Sequence, residues 1–135
     1  FVTPVNETEL TAILKKTYSE HVPVTVIGGG SNCLVRDKGI RGIVICTMRM
    51  VSSIRRDGNR IFASGGAGTG AVARFALKES LSGLEWACGI PGTICGAAFM
   101  NANGYGGHMA DVVESVRCIR QDGSGMRIWT SEEIR

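Results

Sequence analysis

Apolar and polar positions alternate along this chain in two rhythms, and the rhythm changes several times. The opening "FVTP" reads as a short strand at residues 1–4. Asn6 then stands three residues before Glu9, the spacing of a helix-capping box. Leu10, Ile13, Leu14, Thr17 and Tyr18 follow at helical intervals, so one apolar stripe runs to about residue 20. "VPVTVI" at 22–27 is rich in β-branched residues and reads as a buried strand. "GIVICTM" (42–48) and "RIFASGG" (60–66) predict two more strands, with "RRDGN" as the turn signal between them. Val72, Phe75, Ala76 and Leu77 give a second helix over 69–80. Near the end, "VESVRCIR" (113–120) and "MRIWT" (126–130) flank "QDGSG" and predict a hairpin, after which Ser131 is placed to cap a further helix.

One stretch follows neither rhythm. "GIPGTICGAAFMNANGYGG", residues 89–107, has six glycines in nineteen positions. Glycine weakens helix and strand interiors, so little regular structure is expected here. Ile90, Ile94, Ala97, Ala98, Phe99 and Met100 are nevertheless too apolar for a solvated linker. Buried, irregular and glycine-dense, the segment reads as backbone that must come close to something. Two further glycine clusters, Gly28–Gly30 and the run from Gly65 to Gly70, stand at a strand exit and before a helix. Each alone is as well explained by a turn. Together they are explained by one extended ligand lying across all three, and a dinucleotide has the reach.

Composition narrows the partners. The 135 residues suit one core, and 19 glycines are about twice the usual share. With 15 Lys+Arg against 12 Asp+Glu, the net charge of +3 is too small and too scattered to indicate nucleic acid. The five cysteines (Cys33, Cys46, Cys88, Cys95, Cys118) show no C-x-x-C pair, so neither zinc nor a disulfide framework fits, and no metal is expected. A reducing, cytoplasmic setting is the expectation, with no membrane segment and no signal sequence.

The candidate chemistry is binding rather than side-chain catalysis. "VTVIGGGSN" satisfies G-x-G at Gly28 and Gly30, but the third-glycine position is Cys33, and "SNCLVRDKG" is not an amphipathic helix. The Rossmann phosphate site is therefore excluded. Successive amides at Gly28, Gly29 and Gly30, with Ser31 and Asn32 as added donors, can instead form a nest for anionic oxygens. His21 is read as a helix C-terminal residue favoured by the dipole and His108 as a solvated loop residue, and no nucleophile–base pair stands at recognisable spacing.

Taken in order, "GGGSNCLV", "GIRGIVI", "GAG" and "LSGLEWACGIPGTICGAAFMNANGYGG" resemble the UDP-N-acetylenolpyruvoylglucosamine reductase family over nearly the whole chain. The resemblance implies an α+β fold: an α/β-type FAD-binding domain of two small subdomains, with mixed sheets and flanking helices, of the vanillyl-alcohol-oxidase-like class. The subdomains are expected at 1–50 and 51–135, and the family's substrate domain is expected to be absent from this chain. The implied function is the FAD-binding portion of an NADPH-dependent reductase. That enzyme converts UDP-N-acetylenolpyruvoylglucosamine to UDP-N-acetylmuramate in bacterial peptidoglycan precursor synthesis. A non-catalytic dinucleotide- or phosphate-binding module, or another flavin oxidoreductase of the same class, are the alternatives.

The resemblance also implies roles. Gly28 to Asn32 would hold FAD by backbone contacts, as would Gly89, Pro91, Gly92, Thr93 and Gly96, the last three of the second group lying against the diphosphate. Ile90 and Ala97 complete that cofactor segment, with Ile90, Ile94 and Met100 forming a dry wall around the rings. Asn101 and Gly104 run towards the flavin, and Tyr105 faces the substrate. NADPH is the implied reductant, and the proton-donating serine and assisting glutamate of the family are expected beyond Arg135. The chain is thus expected to be an incomplete and inactive piece of an enzyme that is monomeric when whole, without nucleic-acid or membrane partners. Two positions depart from the family pattern, Cys95 and Asn103, where glycine is usual.

Overall fold

The computed structural model describes residues 1–134. The N-terminal part of the chain is built around one parallel strand pair. Helix α1 (Glu7–Ser19) starts where the capping box predicts: the Asn6 side chain accepts the Glu9 N–H at 2.9 Å. The Glu9 carboxylate accepts from Val5 rather than from Asn6 itself. Leu14 and Thr17 are its buried residues, and they face inward because they share one helical face. Strand β1 (Val24–Ile27) pairs in parallel with β2 (Ile43–Cys46), Val24 against Ile43 through Ile27 against Cys46. The expected strand at residues 1–4 shrinks to a single parallel bridge from Val2 to Ile45. It is cut short by Pro4, which has no N–H to donate to a ladder. The crossover from β1 to β2 contains no helix, and residues 31–42 are exposed throughout.

The remaining strands form antiparallel hairpins. β3 (Ile54–Asp57) pairs with β4 (Arg60–Ala63). The sequence reading treated Arg55 and Arg56 as part of a turn, but they are strand residues. Only Gly58 and its neighbours turn, with Gly58 at φ +57°. The Arg55 guanidinium lies 3.9 Å from the centre of the Phe62 ring, a cross-strand contact that no turn residue could make. β7 (Ser115–Ile119) pairs with β8 (Met126–Thr130) as predicted. The tip of that hairpin rests on α1: Gly123 is buried, and a Cβ there would stand 3.0 Å from the Thr11 carbonyl. Arg117 also pairs with Glu7. The helix expected after Ser131 is instead a turn, in which the Glu133 carboxylate accepts the Thr130 N–H at 2.9 Å.

The core lies around Trp86. Helix α2 (Thr69–Lys78) contributes Ala73, and a 3₁₀ helix at Glu85–Gly89 contributes Trp86 and Ala87. Helix α3 (Ile94–Phe99) adds Ala97, and α4 (Met109–Val112) adds Met109. The indole N–H of Trp86 donates to the Gly83 carbonyl at 3.1 Å, so the ring is buried without an orphaned donor. The glycine-dense segment is accordingly more regular than its composition suggests. It contains α3 and a two-residue ladder of β5 (Asn103–Gly104) with β6 (Gly107–His108). Helices and small sheets, one parallel and three antiparallel, make the chain α+β.

Candidate functional site

The three glycine clusters meet. Gly28 and Gly29 leave β1 and lie directly on the third cluster. A Cβ at Gly28 would stand 3.2 Å from Thr93 Cβ and Cγ2 and closer still to Oγ1, and one at Gly29 would stand 3.0 Å from Gly92 Cα. In the other direction, a Cβ at Gly92 would stand 2.8 Å from Ser31 Oγ. The second cluster closes the junction. Gly68 and Thr93 form an antiparallel bridge in which Thr69 N–H donates to the Gly92 carbonyl at 3.0 Å and Ile94 N–H to the Ala67 carbonyl at 2.7 Å. Gly66 lies against the carbonyl of Thr47, just past β2. Glycine is therefore needed at Gly28, Gly29 and Gly66 for loop-on-loop packing, not only for ligand approach.

Two side chains that the sequence reading passed over bind this junction to the parallel strands. The Cys46 thiol approaches the Gly28 carbonyl at 3.6 Å, and the Thr47 hydroxyl donates to the Ile27 carbonyl at 3.3 Å. The only sequence signal for them is a polar pair at the end of an apolar strand.

What remains unengaged at the junction is backbone N–H. Among the described residues, the amides of Gly29, Gly30, Ser31, Asn32, Gly92 and Thr93 donate to no protein acceptor. For Thr93 this follows from its narrow antiparallel bridge, whose own N–H points away from the partner strand. Gly30 has φ +70° and nothing within 4 Å of its Cβ position, so it combines a left-handed backbone with open space. Gly92 has φ +94°. Six such amides thus stand on the two loops that meet at this junction, four on the first cluster and two on the third.

The α3 end offers less than the resemblance implies. Its first amides are satisfied within the chain: Ile94 on Ala67, Cys95 on Gly65 at 3.4 Å, and Gly96 on the Thr93 hydroxyl at 3.3 Å. Gly96 thus serves the Thr93 cap, with room for a Cβ only 3.1 Å from that oxygen. Ala97 is buried in the Trp86 core. Ile90 and Ile94 pack against the same core, whereas Phe99 and Met100 are exposed. Gly89 and Pro91 lie at the surface. Cys95 sits at the surface but aims its sulfur at Gly65, where a Cβ would meet it at 2.8 Å, and burial on that side raises its thiol pKa.

Beyond α3, Gly104 lies on Ile90 and Gly107 on Trp86. A Cβ at Gly107 would stand 2.6 Å from the indole nitrogen and nearer to Cδ1. These glycines let a hairpin backbone lie flat on the core. Asn103, where the family pattern has glycine, does not take a positive φ; the left-handed non-glycine residues of this segment are Asn101 (φ +43°) and Tyr105 (φ +49°). Tyr105, 93% exposed at the hairpin tip, is the most open aromatic of this region. A cleft of ≈ 350 Å³ beside it is lined by Glu85, Trp86, Gly106, Gly107 and Asp111 among others. The cleft does not coincide with the amide junction. No group of three or more metal-binding side chains occurs among the described residues, and no helix there is long and apolar enough to cross a membrane.

Comparison with known proteins bears on the family and the fold. UDP-N-acetylenolpyruvoylglucosamine reductase of Oceanobacillus iheyensis is 44% identical over 134 residues, covering 99% of this chain and 43% of the relative. The Staphylococcus aureus (strain COL) reductase is 42% identical over 132 residues, covering 98% of the chain and 43% of its own length. The chain thus spans less than half the length of these relatives. Among solved structures, UDP-N-acetylenolpyruvylglucosamine reductase from Thermus caldophilus superposes with a TM-score of 0.74 at 30% identity, covering 97% of this chain and 45% of that one. Cholesterol oxidase from Brevibacterium sterolicum shares the fold, with a TM-score of 0.70 at 15% identity over 95% of this chain and 28% of its own. The FAD binding domain family matches residues 1–128, and the chain belongs to that family.

Proposed function

We propose that this chain is the FAD-binding portion of an NADPH-dependent UDP-N-acetylenolpyruvoylglucosamine reductase acting in peptidoglycan precursor synthesis. The observation that carries the reading is the set of unengaged amides at Gly29–Asn32 and Gly92–Thr93, on two loops locked together by glycine contacts. A diphosphate suits this junction. Its charge is spread over several oxygens, each able to accept from a fixed N–H, and the preset loop contacts spare the ordering cost of binding. Gly30 admits an oxygen where any other residue would place a Cβ.

The junction and Tyr105 stand at two ends of one polypeptide run, α3 and the β5–β6 hairpin. An extended dinucleotide with its diphosphate at the junction would bring its ring system towards the exposed Phe99, Met100 and Tyr105. Tyr105 would then supply a hydroxyl and a ring face to the UDP-sugar. FAD would supply the hydride-carrying ring system, while this chain's own residues bind, orient and shield it. The proton donor belongs to the part of the reductase that this chain does not span. The assembled enzyme is proposed to be a bacterial cytoplasmic monomer, with NADPH and the UDP-sugar as its partners.

The test has two arms. Titrated with FAD, the chain should quench flavin fluorescence and shift the visible spectrum. The full-length protein should oxidise NADPH only when the UDP-enolpyruvyl sugar is present. A folded chain and a full-length protein that both ignore FAD would exclude a flavoenzyme. FAD binding without sugar-dependent NADPH oxidation would leave a flavoprotein of another activity.

A further inference from the structure

Tyr105 occupies a position that a tyrosine does not adopt unaided. Strands β5 and β6 are joined by Tyr105 and Gly106, with φ +49° and +87°. Positive φ at both central residues is the signature of a type I′ turn, whose first position favours Asn, Asp or Gly. For a bulky residue this left-handed backbone is strained by about 1–2 kcal/mol. A two-residue ladder is a weak restraint against that strain, so something else must close the loop.

The closure is at its mouth. Asn101, itself left-handed at φ +43°, accepts the Ala110 N–H through Oδ1 at 2.9 Å, nine residues away. Beside it, Met109 N–H donates to the Ala102 carbonyl at 3.0 Å. These two bonds join the end of α3 to the first turn of α4. His108, the residue that caps α4, makes no side-chain capping bond, so Asn101 does this from a distance. Between the two ends, Gly104 and Gly107 rest on Ile90 and Trp86.

We infer that Asn101 is a positioning residue for Tyr105: its bond to Ala110 closes the 102–109 loop and holds the strained tip towards the ligand. Its oxygen is engaged within the protein, which replaces the cofactor contact expected for it. That Tyr105 meets a ligand rests on the function proposed above; the latch itself does not.

The test compares Asn101→Gly, which keeps the backbone easy and removes the acceptor, with Asn101→Asp, which keeps an acceptor. In a Tyr18→Phe background, Tyr105 is the single tyrosine of the chain, because the sequence has only two. Its 3-fluorotyrosine ¹⁹F resonance then reports the tip. In Asn101→Gly, the Ala110 amide should exchange with deuterium about five- to tenfold faster, with α2 amides unchanged, and the ¹⁹F line should move towards its unfolded-chain position. Asn101→Asp should restore both. An unchanged glycine variant, or an aspartate variant no better than glycine, overturns the latch. Independently of any variant, an Ala110 amide exchanging as fast as an unstructured peptide overturns it. In the full-length reductase, Asn101→Gly should raise the sugar KM several-fold and leave FAD affinity unchanged. Lost FAD affinity with an unchanged KM would mean that Asn101 holds the cofactor instead. Since the exchange and ¹⁹F readings need no cofactor, a failure of FAD binding would sink the functional reading and leave the latch standing.

Discussion

Gly28→Ala should destabilise the folded chain far more than Gly30→Ala, although the two glycines share one loop. At Gly28 the new methyl group would stand 3.2 Å from Thr93 Cβ and Cγ2 and closer to Oγ1. Rotating Thr93 does not clear the space, because its Cβ is already too near and β-branched χ1 is stiff. Thr93 is also 3% exposed and caps α3 through its bond from Gly96. Overpacking of this kind costs about 1–3 kcal/mol, and displacing the cap about 1 kcal/mol more. A loss of about 2–3 kcal/mol is expected. Gly30→Ala meets nothing within 4 Å and carries only its left-handed backbone, φ +70°. That costs about 1–2 kcal/mol, offset by about 0.4–1 kcal/mol from the stiffer unfolded chain.

Urea unfolding followed through Trp86 and Trp129 emission would measure both. A double-mutant cycle isolates the contact. Thr93→Ala alone should cost about 1 kcal/mol as a lost cap, and combined with Gly28→Ala it should recover about 1–2 kcal/mol of the clash. Additivity within about 0.5 kcal/mol, or a Gly28→Ala no worse than Gly30→Ala, would refute the loop contact and with it the account of the junction. Gly30→Ala is then the cleaner probe of the ligand. It leaves the loops docked, so a weakened FAD titration would report on the cofactor alone.

Gly107→Ala should lower the midpoint of thermal unfolding clearly, by about 1–3 kcal/mol of overpacking, because the new methyl group enters the Trp86 ring. Tyr105→Phe should leave stability within about 0.5 kcal/mol, since the side chain is 93% exposed, yet raise the sugar KM in the full-length enzyme. An unchanged KM would return Tyr105 to a bystander. Cys95, whose thiol pKa is raised by burial and secondarily by Cys118, should be alkylated by iodoacetamide only at higher pH than an ordinary thiol. The sign also predicts a stability contribution intact below the unfolded thiol pKa and lost as pH rises through the folded one. Peptide mass mapping of alkylation across pH 7–10 (a roughly chosen range bracketing thiol ionisation) would check it, and rapid labelling at neutral pH would contradict it.

Local signals determined much of this protein. The Asn6 cap, the apolar stripe of α1, the β-branched strand before Gly28, the second helix and the QDGSG hairpin all appear where the sequence places them, because each depends on residues within one or two turns of each other. The blocks from "GGGSN" to "NANGYGG" were enough to mark the family, and the number of glycine clusters pointed to one ligand spanning them. Tertiary structure decided what each glycine is for. Gly28, Gly29 and Gly66 accommodate other loops, Gly104 and Gly107 accommodate Ile90 and Trp86, and Gly30, like Gly89 and Gly106, opens onto free space. Nothing local separates these cases, since at the crowded positions the atom that a Cβ would strike belongs to a residue some 14 to 65 positions away. The same holds for Asn101, whose acceptor looked available to a ligand until α4 folded back onto it. It holds too for Ile90 and Ala97, apolar residues in a glycine-rich run whose packing on the Trp86 core no local signal announces. Periodicity and capping act over a few residues and can be read in order, whereas close approach depends on which distant backbone arrives.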